Sequence, residues 1–239
     1  MKMKDKKEKD KEQKKVAKKI LEDDKKRKRG KLGLERKEET KDVFKHILIF
    51  CDGENTEPSY FEQFKRPNLN IEIVGGEYNT LSLVNKAEKN SKSRKGIQVW
   101  CVFDKDDFPA QNFNNAIIKA ESLGFGAAYS NQAFEYWLLL HFEDHWGGAM
   151  HRKECLKKLQ EYFKIFGLMY DKDSKTITKE MFLVLQGIDR ETNIKRQDLA
   201  IQRAKRNFDI HIKDSKTAAE AESSTTVFKL VEELIKYKS

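Results

Sequence analysis

"HILIFCDGENTEPSYF", residues 46–61, sets a continuous apolar run hard against a cluster of acids. Ile47 through Cys51 carry no alternating polar partner, the pattern of a strand buried on both faces. Asp52, Gly53 and Glu54 follow at once, then Thr56, Glu57 and Pro58. Proline suits the first turn of a helix, so "TEPSYFEQF" reads as a short helix leaving the acidic turn. Carboxylates placed directly beyond a buried strand serve either as turn formers and caps or as working groups of a site.

The same order of segments recurs downstream. "NIEIVGG" (70–76) is β-rich and closes on a glycine pair, and "IQVWCVFDKDDF" (97–108) is apolar and again ends in acids. "FGAAYSN" (125–131) is a shorter strand. Between them, "TLSLVNKAEKNS" (80–91) and "FNNAIIKAESLG" (113–124) have apolar residues at helical spacing, the second stopped by Gly124. "FEYWLLLHF" (134–142) is apolar all round and predicts a buried helix. Alternating β and α with strands apolar on both faces predicts an α/β domain, a parallel four-stranded sheet flanked by helices. This domain spans residues 45–145, and a mostly helical region, 146–239, packs on it.

Charge separates a third part. Of 48 Lys/Arg and 39 Asp/Glu, residues 1–41 hold 19 and 10, leaving 29 of each in the remainder. The net charge of +9 therefore belongs to the tail, and basicity is no argument that the folded part binds nucleic acid. Residues 1–44 are low in complexity and poor in apolar side chains, so disorder is expected there. Within them, "KKRKRGK" (25–31) is a candidate for sequence-blind phosphate contact. No apolar leader or membrane-length run stands out. Cys51, Cys101 and Cys155 match neither a zinc spacing nor a disulfide framework, which suits a reducing cytoplasm. Neither a Walker motif nor a GxGxxG fingerprint occurs, so the common nucleotide folds lose ground.

In open α/β sheets, sites form beyond the carboxyl ends of the strands. Two strands here end in acids: Asp52 with Glu57, and Asp104, Asp106 and Asp107. Asp104 and Asp106 are two apart, which on a strand turns both to one face and Lys105 to the other. Crowded carboxylates repel unless a cation joins them. An all-oxygen donor set selects Mg²⁺ or Mn²⁺, and such a centre can clamp a phosphodiester and activate a water.

"FCDGENTEPSYF", "VWCVFDKDDF" and "YSNQAFEYWLLLHF", in that order, resemble the RloB family over residues 46–142, and "ESSTTVFKLVEEL" resembles that family's STTV segment. The resemblance implies a Toprim-like sheet, an association with restriction-modification loci and a role in phage defence by abortive infection. Asp52 falls where the family writes glutamate; the shorter arm keeps a ligand role. Glu57 matches the second acid, Asp104 and Asp106 match the DxD ligands, and Asp107 is a helper. Glu135, in the first turn of the apolar helix, is either favourably placed at a helix N-terminus or a further catalytic acid.

Three further groups have weaker claims. His141 and His145 stand at i,i+4, a spacing that can bind zinc on a helix, though a helix-end polar pair is the simpler reading. One of Ser224, Thr225 and Thr226 is expected to cap the last helix, with phosphate contact as the alternative. Arg196, Arg203, Lys205 and Arg206 in "KRQDLAIQRAKR" form either a solvated face or a set of phosphate clamps. The combined expectation is a Mg²⁺- or Mn²⁺-dependent nuclease. Asp52, Glu57, Asp104 and Asp106 hold the metal, and Lys105, Arg203 or Lys205 stabilises developing charge. The expected partners are RNA, tRNA among it, or DNA, with a defence protein as a further partner. An Asp104→Ala change is expected to abolish cleavage and spare the fold, because a strand-end acid is exposed. The alternative is a catalytically impaired binding subunit. Aspartyl phosphorylation, as in receiver domains, fits poorly because no strand-end Thr/Ser–Lys pair follows.

Overall fold

The computed structural model describes residues 45–94, 96–107, 109–171 and 173–237. The basic tail, residues 1–44, and its KKRKRGK run lie outside the described residues. The described residues form one compact unit.

The apolar run after residue 44 becomes β1 (Lys45–Cys51), followed by α1 (Thr56–Glu62). β2 (Leu69–Val74) and α2 (Thr80–Ser91) come next, then β3 (Gln98–Asp104), α3 (Ala110–Ser122) and β4 (Gly126–Asn131). β1 pairs in parallel with β2 and β3, and β3 with β4, as the alternating pattern predicts. Side chains of one strand divide between two cores. Ile47, Ile49 and Cys51 join the core on one face, and Leu48 and Phe50 join that on the other. A strand buried on both faces has no polar alternation to show, which is why the run reads continuously apolar.

α2 and α3 cover the second face with Leu83, Val84, Phe113 and Ala116. α3 ends at Gly124, whose left-handed φ of 74° lets the amide of Phe125 turn back to the Ala120 carbonyl at 2.9 Å. The first face takes α1, α4 (Phe134–Leu139) and the helices after it: α5 (Arg152–Ile165), α6 (Lys179–Gln186) and α7 (Arg196–Lys213). Every residue of α4 is buried, Trp137 among the largest, so its all-round apolar sequence is a core helix. Among the described residues, no helix is long and apolar enough to cross a membrane.

The sheet has five strands among the described residues, in the order β2-β1-β3-β4-β5, where the sequence predicts four. β5 (Ser224–Thr225) runs antiparallel to β4, and α8 (Val227–Ile235) follows it. Two residues are too few to carry a period, so this strand leaves no pattern. The backbone ladder, continued by the Thr226 amide to the Tyr129 carbonyl at 2.8 Å, is reinforced by hydroxyls. Thr226 Oγ1 accepts the amide of Tyr129 at 2.9 Å and donates to the Ala127 carbonyl at 3.1 Å. Thr225 Oγ1 donates to the Tyr129 carbonyl at 3.0 Å. The expected cap is therefore modified: Thr226 holds the N-cap position without a side-chain cap bond, and Thr225 Oγ1 accepts from the Val227 amide at 3.2 Å.

Thr226 is fully buried, so Thr226→Val keeps the shape and strips both hydrogen bonds. The expected loss is about 2–3 kcal/mol of stability. Chemical denaturation would show a lower midpoint at an unchanged slope.

Candidate active site

At the carboxyl edge of the sheet the acids of adjacent strands are tied together. The amide of Asp52, the first residue past β1, donates to the Val102 carbonyl of β3 at 3.1 Å. Its carboxylate oxygen Oδ2 accepts the amide of Asp104 at 2.9 Å. Asp104, the last residue of β3, is buried, and its Oδ2 accepts the amide of Phe134 at the start of α4 at 3.0 Å. One strand end thus orients the next, and the second orients a helix.

Two more acids reach the same crevice from helix starts. Glu57, in the first turn of α1, is buried with its carboxylate against Gly53, and a Cβ added there would collide with Oε2. Glu135, in the first turn of α4, is also buried. It accepts from the Tyr170 hydroxyl at 3.5 Å and pairs with Lys175 Nζ at 3.4 Å. Asp106 lies past the end of β3, with a left-handed φ of 43° and its amide bonded to the Gln132 carbonyl at 3.1 Å. Its carboxylate is paired with Arg152. These five acids, Arg152 and Lys175 line a cavity of about 430 Å³.

Asp104 and Asp106 do share the cavity, but a turn rather than strand alternation brings them there. β3 stops at Asp104, and aspartate tolerates the left-handed turn that follows. Lys105 does not line the cavity; its Nζ donates to the Asp106 carbonyl at 3.3 Å. Asp107 is exposed and lies outside the lining.

The four α7 cations also lie outside it. Arg196 is buried, donates to the Val184 carbonyl at 3.1 Å and lies over the rings of Phe142 and Phe166. Arg203 donates to the Leu140 carbonyl at 2.7 Å. Arg206 pairs with Asp144 and stacks on Trp146 at 3.8 Å, and Lys205 pairs with Glu232. The two histidines do not converge. His141 is buried with Nδ1 at 3.1 Å from the Trp137 carbonyl, while His145, beyond the end of α4, bonds the Tyr136 hydroxyl at 3.0 Å. All three cysteines are buried and free.

Burial without a cation raises the carboxyl pKa values. Asp52 is pushed up to about 7, chiefly by burial, with the charge of Asp106 adding and the Asp104 amide opposing. Burial and then the charge of Asp52 push Glu57 up to about 8. Asp104 rises well above the usual range through burial, Asp52 and Glu57. Asp106 is raised by burial, with Arg152 opposing. In donor type the set suits a hard divalent ion. Yet among the described residues no group of three or more Asp, Glu, His or Cys is arranged to enclose one. The carboxylates are turned to amide, hydroxyl, Arg152 and Lys175 partners instead.

A parallel sheet with an acid-lined crevice at its carboxyl edge defines an α/β protein with a buried polar site. The model of the RloB-like protein family matches residues 47–234, and the chain belongs to that family. No curated protein and no solved structure matches it significantly.

Arg152, Lys175 and Tyr170 are site residues that sequence reading missed, as are Glu54 and Glu77, which also line the cavity. None of the first three lies in a strand-end motif, and only the folded chain brings them to the acids. Gly53 left a signal of a kind: a glycine between two acids where no positive φ demands one marks a close approach.

Two outcomes are expected. Because the folded pKa values of Asp52 and Glu57 lie above their unfolded values, the neutral carboxyls stabilise most below about pH 4, and that contribution is lost as pH rises toward about 8. The metal-free protein should lose about 5 °C or more in Tm between about pH 5 and pH 8. Glu57→Gln should flatten the profile. His141, held down to about 3 by burial, acts in the opposite direction below about pH 6.5 and is common to both proteins. Second, a Cβ at residue 53 collides with the Glu57 carboxylate, so Gly53→Ala should lower Tm by several degrees in thermal melts at neutral pH.

Proposed function

We propose that the protein is a Mg²⁺- or Mn²⁺-dependent nuclease with a Toprim-type site. It hydrolyses phosphodiester bonds of RNA or DNA, and acts in anti-phage defence by abortive infection. The observation that carries this reading is the Asp52 carboxylate held by the Asp104 amide at adjacent strand ends, with the Asp104 carboxylate, Glu57, Asp106 and Glu135 around the same cavity. Family membership supports the connection with defence.

Asp52, Glu57, Asp104 and Asp106 would hold the ion, with Glu135 beside them; a bound Mg²⁺ or Mn²⁺ supplies charge neutralisation and an acidified water. The chain's own contribution is orientation and proton handling. The Asp104 amide fixes the Asp52 carboxylate, and the Phe134 amide fixes that of Asp104. In the ion-free chain Asp52 and Glu57 hold their protons up to about 7 and about 8, so taking up an ion near neutrality would release protons from them. Hydrolysis joins the water oxygen to phosphorus, breaks the phosphorus–oxygen ester bond and delivers a proton to the departing oxygen.

A second reading, a metal-stabilised binding subunit without turnover, is favoured by one detail. Asp52 has a short arm, and its Oδ2 is already engaged by the Asp104 amide.

Cleavage decides between them. Asp104 is buried rather than exposed, so an alanine there would also strand the Phe134 amide; Asp104→Asn keeps an acceptor for it. End-labelled duplex DNA, single-stranded DNA, messenger-like RNA and tRNA are incubated with Mg²⁺, Mn²⁺ or EDTA. Metal-dependent products should appear with wild type and fall about 100-fold or more in Asp104→Asn. Undiminished products in the variant sink the assignment. Metal-dependent binding without product on any substrate selects the binding subunit.

A further inference from the structure

The acidic cavity contains two cations of its own, and their placement differs from that of every α7 cation. Arg152 is the first residue of α5, and its amide donates to Gln132 Oε1 at 3.1 Å, so the base of the side chain is fixed. The side chain is 36% exposed and pairs with Asp106. Lys175 sits in a tight turn with φ 47°, its amide bonded to the Asp171 carbonyl at 2.8 Å. Its side chain is 32% exposed and reaches Glu135. In both cases the backbone is fixed and a long, partly solvated side chain spans from the rim to a carboxylate.

We infer that Arg152 and Lys175 are the phosphate-gripping residues of this cavity, held by Asp106 and Glu135 until a divalent ion takes over those acids. The inference rests on the nuclease reading above. Seven acids line the cavity, Glu54 and Glu77 among them, and they repel a phosphodiester as strongly as they attract a cation. Partly exposed ion pairs are weak and exchange partners readily. With Asp106 and Glu135 engaged by an ion, a guanidinium and an ammonium would be released within the cavity lining. The planar guanidinium fork matches two phosphate oxygens, and the ammonium acts as a point charge. Ion uptake and substrate binding are thereby coupled: the residues that compete with the ion in free protein grip the backbone once it is bound. The grip is on phosphate and carries no base preference.

The test measures ion and substrate binding separately, without turnover. Mn²⁺ affinity of wild type, Arg152→Gln, Lys175→Gln and the conservative Arg152→Lys is read by calorimetry. Affinity for a fluorescein-labelled oligonucleotide is read by anisotropy in Ca²⁺, beside a strand with neutral methylphosphonate linkages. Melting curves establish that each variant is folded. Each Gln variant should bind Mn²⁺ as tightly as wild type or tighter, yet bind the oligonucleotide about tenfold more weakly. Arg152→Lys should recover part of the loss, and the neutral strand should show no difference between proteins. Wild-type oligonucleotide affinity in both Gln variants overturns the inference and leaves the metal site standing. Loss of Mn²⁺ affinity in folded variants also overturns it, since the pairs would then be supports for the acids. Absence of Mn²⁺ uptake by wild type overturns the site reading and the inference together.

Discussion

Carboxylates buried side by side repel one another, and the polar half of this fold is organised around holding them together. The hydrogen bond from the Asp104 amide to Asp52 Oδ2 is the first element of that arrangement. It spans adjacent strands, so the parallel register of β1 and β3 sets the distance between the acids. Asp104 then accepts from Phe134 and fixes the start of α4. That start is where Glu135 turns into the cavity. Strand pairing, acid placement and helix docking are therefore a single coupled unit. The hydrophobic layers on both faces hold the unit rigid, so that the carboxyls can stay close.

The same chain of contacts explains why the cavity is mixed in charge. Asp52, Glu57 and Asp104 receive little help from cations and are pushed toward neutrality. Asp106, half-buried, and Glu135, buried, have Arg152 and Lys175 beside them. Asp106 is raised by burial as well, and its pairing with Arg152 only opposes that rise. The cavity therefore sets carboxyls that burial pushes toward neutrality beside two cations.

Much of this was legible in the sequence, for identifiable reasons. β1 and β3 announce themselves because burial on both faces removes polar alternation, and the acids mark where each strand ends. α4 is equally plain, being apolar on every side. β5 left no trace, because two residues of ladder, reinforced by threonine hydroxyls, are too few to show a period. The turn at Asp106 was read as continued strand, since spacing alone does not distinguish alternation from a left-handed turn. The α7 cations looked free in a sequence and are engaged in the folded chain, Arg196 with a carbonyl and two aromatic rings. Arg152 and Lys175 show the converse. Nothing local distinguishes them from dozens of other basic residues, and only tertiary proximity to Asp106 and Glu135 does.

The antiparallel return of β5 also bears on how the molecule comes together. Ser130 and Thr225, which meet across β4 and β5, are separated by 95 residues of chain. The contacts that finish this side of the sheet wait on the closure of a very long loop, a slow step compared with forming neighbouring βα units. Until then β4 presents the unpaired backbone of "GAAYSN" to its surroundings, the kind of edge onto which another chain can add a strand. Partly folded molecules are consequently most vulnerable to misassembly along β4, and the threonines that close it act as guards against aggregation as much as parts of the native sheet.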